Sequence, residues 1–381
     1  MLLDFFKRER GRTHVLAIDL GTASISAAAA VRHEGEKTEI LKVLRYPIDL
    51  FGYQLGGVAE KLPYILKDGF IKVFKDAFGV LRHFDIIMIG FADPFCVDKT
   101  TERKITRANS SSAITEEEIN RMVKSLRDEI MDKMLAIVGH EILSMRVNGY
   151  EVDSANRYKG KSLEAAIMFT SISPTLKEYV ESAKEMFFPK SGVFYYSDAA
   201  VFRKALKSTG NLYEHGIAMD IGGEMTTIFD ADACVNQRYG AAAFGVRTLM
   251  RRVEASMKID AAEAESLIKK YSSGALDEAI KTKVEKVLTP ALSDWFLALQ
   301  EPIRQFASGN YTRKIMLTGG GADLALFAGF LKESLKRDYN IAADIQIFNA
   351  EIFRDFFAGA SQNWLRGGGD VILSSLALLT P

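Results

Sequence analysis

Residues 15–30 read VLAIDLGTASISAAAA, and residues 216–230 read GIAMDIGGEMTTIFD. Each is an apolar run that ends in aspartate, passes through an aliphatic residue and a glycine into a short turn, and re-emerges as small or β-branched residues. That pattern predicts a strand, a tight turn and a returning strand. Asp19 and Asp220 hold the same place in the two copies. A hairpin repeated so far along the chain predicts two similar halves around a cleft.

Working outward, a third extended run follows each hairpin, at 40–46 and at 233–240, and helical periodicity follows each of those. Three antiparallel strands and then helices, twice, is an α/β layered pattern. A further stretch, KIMLTGGGADLALFAGFLKESLKR at 314–337, reads as a buried strand, a triple-glycine turn and a helix starting near 322–324. Without side chains, Gly319, Gly320 and Gly321 let backbone approach a ligand closely.

Two insertions interrupt the duplicated frame. The first, 92–171, carries a helix beginning at Thr115, with Glu118 three residues on as a capping box and Ile119, Met122, Val123, Leu126 and Ile130 on one face. Strand-like runs at 141–150 and 162–171 follow it. The second, about 244–308, reads as almost wholly helical: Asp260 with Glu263 marks one helix start, and Pro290 is expected to interrupt the pattern from 276 to 306.

Composition narrows the function. The 381 residues are 48% hydrophobic, enough to bury more than one core. Lys plus Arg and Asp plus Glu both count 49, so no global field points to nucleic acid. Cys96 and Cys234 stand far apart in no metal or redox spacing, and His14, His33, His83, His140 and His215 show no ligand spacing. The segment 15–31 imitates a signal-peptide core, with Ala27 and Ala29 as a mock cleavage site, but Asp19 inside it favours the hairpin. No other run is long and apolar enough to span a bilayer.

The chemical logic of the repeated turns is a phosphate clamp. Gly21, Thr22, Ala23 and Ser24 on one side, and Gly222, Gly223, Glu224, Met225 and Thr226 on the other, would offer backbone N–H groups to phosphates. Asp19 and Asp220 would hold a hydrated Mg²⁺ between them, and Gly319 to Gly321 would face the α-phosphate and ribose.

With these features the chain resembles the actin, Hsp70 and sugar-kinase superfamily, and within it FtsA, the bacterial cell-division actin homologue. The finer likeness rests on ITRANSSSAITEEEINRMVKSLRDEI (105–130), RVNGYEVD (146–153) and AEAESLIKKY (262–271). The resemblance implies an actin-like, ribonuclease-H-like duplicated α/β fold with an FtsA-type inserted subdomain. Its expected units are a 1–13 amphipathic segment, a 14–91 first-half core, the 92–171 insertion and a 172–200 continuation of the first half. A 201–243 second-half core, a 244–313 helical subdomain, a 314–364 second-half continuation and a 365–381 helix returning to the first half complete them.

The resemblance further implies an ATP- and Mg²⁺-binding, polymer-forming scaffold of cell division that tethers a tubulin-like ring, is at most a weak ATPase, and needs no nucleic acid. Glu265, Lys269 and Asp323 would join the nucleotide site. FtsA-like chains commonly carry a lysine where Ser24 stands, and usually read Gly-Gly-Gly-Thr-Thr where Glu224 and Met225 interrupt here. The segment YYSDAAVFRKAL (195–206) offers Ser197 or Asp198 as polar groups for orienting water, with no catalytic base assigned.

Two alternatives share the fold: a PilM-like adaptor of type IV pilus assembly that captures a peptide from a membrane partner, and a small-molecule kinase. Membrane attachment at the inner face of the cell membrane would come from MLLDFFKRER, with Leu2, Leu3, Phe5 and Phe6 buried in lipid and Lys7, Arg8 and Arg10 meeting anionic headgroups.

Overall fold

The structure, a computed structural model, describes residues 11–48, 58–131, 134–210, 216–231, 238–307 and 314–380. The amphipathic segment from Leu2 to Arg10, His215 and Cys234 lie outside the described residues.

The first half is built on strands β1 (Arg12–Leu20), β2 (Ser24–His33), β3 (Glu39–Pro47), β4 (Ile86–Phe91) and β9 (Gly192–Ser197), in the order β3-β2-β1-β4-β9. β1 pairs antiparallel with β2 and parallel with β4, and β4 pairs parallel with β9. The second half repeats this arrangement with β10 (Ile217–Ile221), β11 (Thr226–Asp230), β12 (Tyr239–Ala242), β13 (Lys314–Thr318) and β14 (Asp344–Ile347), in the order β12-β11-β10-β13-β14. The duplication read from the two hairpins is therefore a duplication of whole sheets. The chain has the two similar α/β halves that the repeat implied, in the actin-like arrangement that the resemblance implied.

Both faces of the first sheet are covered, which explains the unbroken run of buried alanines Ala27 to Ala30 in β2. On one face Leu16, Ile18, Ala27 and Ala29 pack against Phe70 and Phe74 of α1 (Val58–Val80) and Val180 of α3 (Pro174–Phe187). On the other, Val15, Ala17, Ala28 and Ala30 meet α4 (Asp198–Ser208) and α10 (Val371–Leu378). The same layer takes in Ala218, Phe229, Met316 and Phe353 of the second half, so one apolar core joins the halves. Arg32 donates from Nε to the Ala377 carbonyl at 2.8 Å, fixing the end of α10 against β2.

The outer face of the second sheet is closed by α5 (Val246–Met257), α6 (Ala261–Ser272), α7 (Glu278–Ala298), α8 (Gln300–Ala307) and α9 (Ala325–Tyr339) around Trp295 and Phe327. The expected break at Pro290 is absent: α7 runs continuously through it. Val284, Leu288, Ala291, Leu292 and Trp295 are buried on the core, and that packing outweighs the one backbone hydrogen bond proline forfeits. The helical path breaks later, at Leu299, before α8 begins.

The insertion is a four-stranded sheet, β5 (Cys96–Thr106), β8 (Ser162–Ile172), β6 (Ala136–Val147) and β7 (Tyr150–Val152), with α2 (Glu116–Ile130) on one face. Thr115 and Glu118 form the expected capping box. The run expected at 141–150 is instead two strands, because Asn148 and Gly149 both adopt positive φ (53° and 84°) and turn the chain between β6 and β7. The third run of the second half, expected at 233–240, forms β12 at Tyr239–Ala242; residues 232–237 lie outside the described residues.

Candidate functional site

The two repeated turns close in the same way. Gly21 N donates to Ser24 O at 3.0 Å, and Gly222 N donates to Met225 O at 2.9 Å. The turns face each other across the halves: Glu224 N donates to Thr22 Oγ1 at 3.0 Å, and a Cβ on Gly223 would stand 2.5 Å from that of Ala23. Behind them, Gly319 adopts a φ of +81°, and a Cβ there would fall 2.0 Å from Asp220 Oδ1. Only glycine lets the triple-glycine turn and the second aspartate share this space.

Between the halves lies a cleft of about 560 Å³. Of the residues expected to form the site, Asp19, Gly21, Thr22, Ala23, Ser24, Asp220, Gly222, Gly223, Met225, Glu265, Gly319, Gly320 and Asp323 line it. Four do not. Glu224 turns away from the cleft and is buried in a bidentate pair with Arg251 of α5, at 2.8 and 2.6 Å. Its charge is thereby neutralised away from any phosphate. Thr226 faces the core, where its hydroxyl donates to Phe244 O and accepts from Trp295 Nε1. Lys269 points to solvent and pairs with Glu265 at 2.5 Å. Gly321 packs on Ile221 and donates to its carbonyl at 2.8 Å.

Asp198, one of the two polar groups offered by 195–206, sits in the first turn of α4 and joins Asp19 and Asp220 in the cleft wall. The fold also brings in residues the sequence reading left aside, namely Asp93, Arg45 and Arg247. A second glycine run, Gly367 to Gly369, completes the wall beside the first: Gly319 N donates to Gly368 O, and Gly368 N donates to the Asp323 carboxylate at 2.9 Å. Its signal is the GGGD at 367–370, inside the stretch 365–381 expected to form the last helix.

Burial and mutual repulsion load this wall with protons. Burial first, then the charges of Asp220 and Asp370, push the Asp19 carboxyl up to about 7 against the pull of Arg45. Burial raises Asp220 to about 6, and burial with the neighbouring Asp19 and Asp220 charges holds Asp198 well above the carboxylate range. Asp19 Oδ1 and Asp198 Oδ1 are buried without a hydrogen-bond partner. Such orphaned oxygens suit a cation. Among the described residues, however, no group of three or more His, Cys, Asp or Glu side chains converges as a complete ligand set. The donors fit an ion held by one or two carboxylates, waters and the phosphates of a ligand, which is how Mg²⁺ is ordinarily bound with nucleotides.

A second chamber, of about 510 Å³, continues from the cleft past Asp93, Asp198, Asp220 and Thr227. Its far wall is the start of β5 in the insertion, including Cys96, Asp98 and Lys99, and it is closed by Phe202, Arg203, Phe229 and Tyr239. Asp98 accepts from Ser197 and from Thr170 at 2.7 Å. Tyr239 crosses between the halves to donate to Asp93 at 2.8 Å.

Two similar sheets of this order, joined at their inner faces and parted by a cleft with a glycine turn from each, define an actin-like fold. No protein-family profile and no curated protein sequence matches the chain. Solved structures do. A chain of the PilM–PilN type IV pilus biogenesis complex aligns with a TM-score of 0.62 at 12% identity, over 96% of this chain and 97% of that one. The MamK double helical filament aligns with a TM-score of 0.50 at 13% identity, over 97% of this chain and 100% of that one. These likenesses establish the actin-like fold.

Proposed function

We propose that this chain is a nucleotide-binding, actin-fold adaptor whose ligand clamps the two halves and whose inserted subdomain presents a seat for a segment of a partner protein. The observation that carries the reading is the cleft of about 560 Å³ walled by both glycine turns and both repeated aspartates. Backbone amides of the turns would take the phosphates of ATP, and Asp19 and Asp220 would hold Mg²⁺, which neutralises phosphate charge beside carboxylates. A ligand bridging the halves favours the closed shape by its differential affinity for it. The chamber beside β5 shares Asp198 and Asp220 with the cleft, so a partner segment there and a nucleotide would sense each other's charge.

The adaptor form takes its support from the near-full-length overlap with a chain of the PilM–PilN complex. By analogy the partner is a peptide of a membrane protein, and the chain works at the inner face of the cell membrane, with Leu2, Leu3, Phe5, Phe6, Lys7, Arg8 and Arg10 as a reversible lipid contact. A second reading, a polymer-forming scaffold such as a cell-division tether for a tubulin-like ring, draws on the overlap with the MamK filament. Slow ATP hydrolysis fits either; phosphoryl transfer to small molecules belongs to a kinase and is expected to be undetectable.

Calorimetric titration with Mg-ATP is the test. Saturable binding in the wild type, lost in Asp220→Asn, supports the clamp; absence of both heat and any nucleotide-induced rise in melting temperature overturns it. Negative-stain microscopy on anionic lipid monolayers with Mg-ATP, beside a version lacking residues 1–10, separates the forms: single particles support the adaptor, ordered filaments the scaffold.

A further inference from the structure

The cleft is built for anions by its glycine turns, yet its walls are acidic. Asp19, Asp198, Asp220, Asp323 and Asp370 line it, and the cations among its lining residues are Arg45 and Arg247. Arg45 is committed to Asp370. Arg247 is not so engaged: from the first turn of α5 in the second half it donates from Nη1 to the Ile48 carbonyl and from Nη2 to the Ala23 carbonyl at 3.0 Å. Both partners are neutral oxygens of the first half. Among the described residues no carboxylate pairs with Arg247, and Glu224, the acid of the facing turn, is already occupied by Arg251.

We propose that Arg247 is the phosphate-binding cation of the cleft, reaching from the second half onto the Gly21 to Ser24 turn of the first. The inference rests on the nucleotide reading above and names the group that makes it electrostatically workable. A guanidinium carries five N–H donors, of which two are used here, and the rest remain for phosphate oxygens in charge-assisted bonds. Ser24, the uncharged residue next to Ala23, supplies no cation to this turn. Because the charge belongs to one half and the turn to the other, attraction to phosphate reinforces closure, whereas a nucleoside without phosphates gains nothing from it.

The experiment measures affinities of ATP, ADP and adenosine, with Mg²⁺ present, for the full-length wild type and for Arg247→Gln and Arg247→Lys. Loss of a charge-assisted bond is expected to weaken ATP and ADP on the order of tenfold to a hundredfold in Arg247→Gln while leaving adenosine unchanged. Arg247→Lys is expected to recover part of that loss. Melting temperatures of the ligand-free variants separate loss of phosphate binding from loss of fold, and Arg247→Lys retains a charge should the glutamine variant fold poorly. Equal losses for adenosine and ATP would show that Arg247 only straps the halves together, and unchanged affinities would remove it from the site; either result overturns the proposal while sparing the nucleotide reading. A wild type that takes up none of the three overturns both.

Discussion

At the residue scale, Asp19 and Asp220 show how a site can be recognised by the free energy it forgoes. Their carboxyls lie at about 7 and about 6, above the unfolded value near 3.9, because burial disfavours the ionised form. A raised folded value means that the native chain binds more protons than the unfolded one between pH 4 and 7. Their contribution to stability is therefore present in full below about pH 4 and is lost as pH rises through 7. For the ligand-free protein, Asp19→Asn is expected to flatten that decline and to stabilise the fold at pH 7.5 by roughly 1 to 3 kcal/mol. Denaturant titrations at several pH values check this; a variant that is less stable than wild type at pH 7.5 would contradict it. Asp198 could be named as a polar candidate from its segment, but neither the shift nor its place beside Asp19 and Asp220 was legible locally, since β1, β10 and α4 are brought together only by the fold.

At the element scale, the inserted sheet depends on one buried side chain. Arg107, 2% exposed, forms an ion pair with Glu118 at the N-terminus of α2 and donates to the carbonyls of Ser112, Ala113 and Gly160. It thereby ties β5 to the helix and to the loop before β8. Arg107→Ala removes the donor from those carbonyls and the counter-ion from the partly buried Glu118, at a cost of about 3 to 5 kcal/mol. The loss should be local: amide exchange across 96–172 is expected to accelerate while β1, β2 and β10 stay protected. Exchange rising uniformly over the chain would mean that the insertion is no separate cooperative unit. The helix start at Thr115 and Glu118 was readable from a four-residue pattern, and the Asn148 and Gly149 turn carried an equally local hairpin signal that reading the run as one strand passed over. Pro290 is the opposite case, where a sound local rule yields to Trp295 and Leu288 packing on the core.

At the scale of the whole molecule, contacts between the halves include the shared apolar layer around Phe202 and Phe229, the turn contacts of Thr22 with Glu224 and of Ala23 with Arg247, and the Tyr239 bond to Asp93. The last is the simplest to remove alone. Tyr239→Phe is expected to cost about 1 to 2 kcal/mol as a hydrogen bond to a charged group. It should also speed amide exchange at both 91–97 and 238–242, on opposite sides of the cleft. Faster exchange on one side only would mean that the bond does not couple the halves.

What the sequence determined by itself was everything carried by short-range pattern: the two hairpins ending at Asp19 and Asp220, the triple-glycine turn at 319–321, the capped helix of the insertion, and so the duplicated α/β plan. These follow from φ/ψ preferences, side-chain periodicity and the distinctive freedom of glycine, which act over a few residues. Only the tertiary structure decided which way Glu224, Thr226 and Lys269 point, and that Arg45, Arg247, Asp198 and the second glycine run at 367–369 enter the cleft. Those outcomes depend on partners many residues away, such as Arg251 for Glu224 and Trp295 for Thr226, and no local preference encodes a pairing that exists only once two sheets have packed.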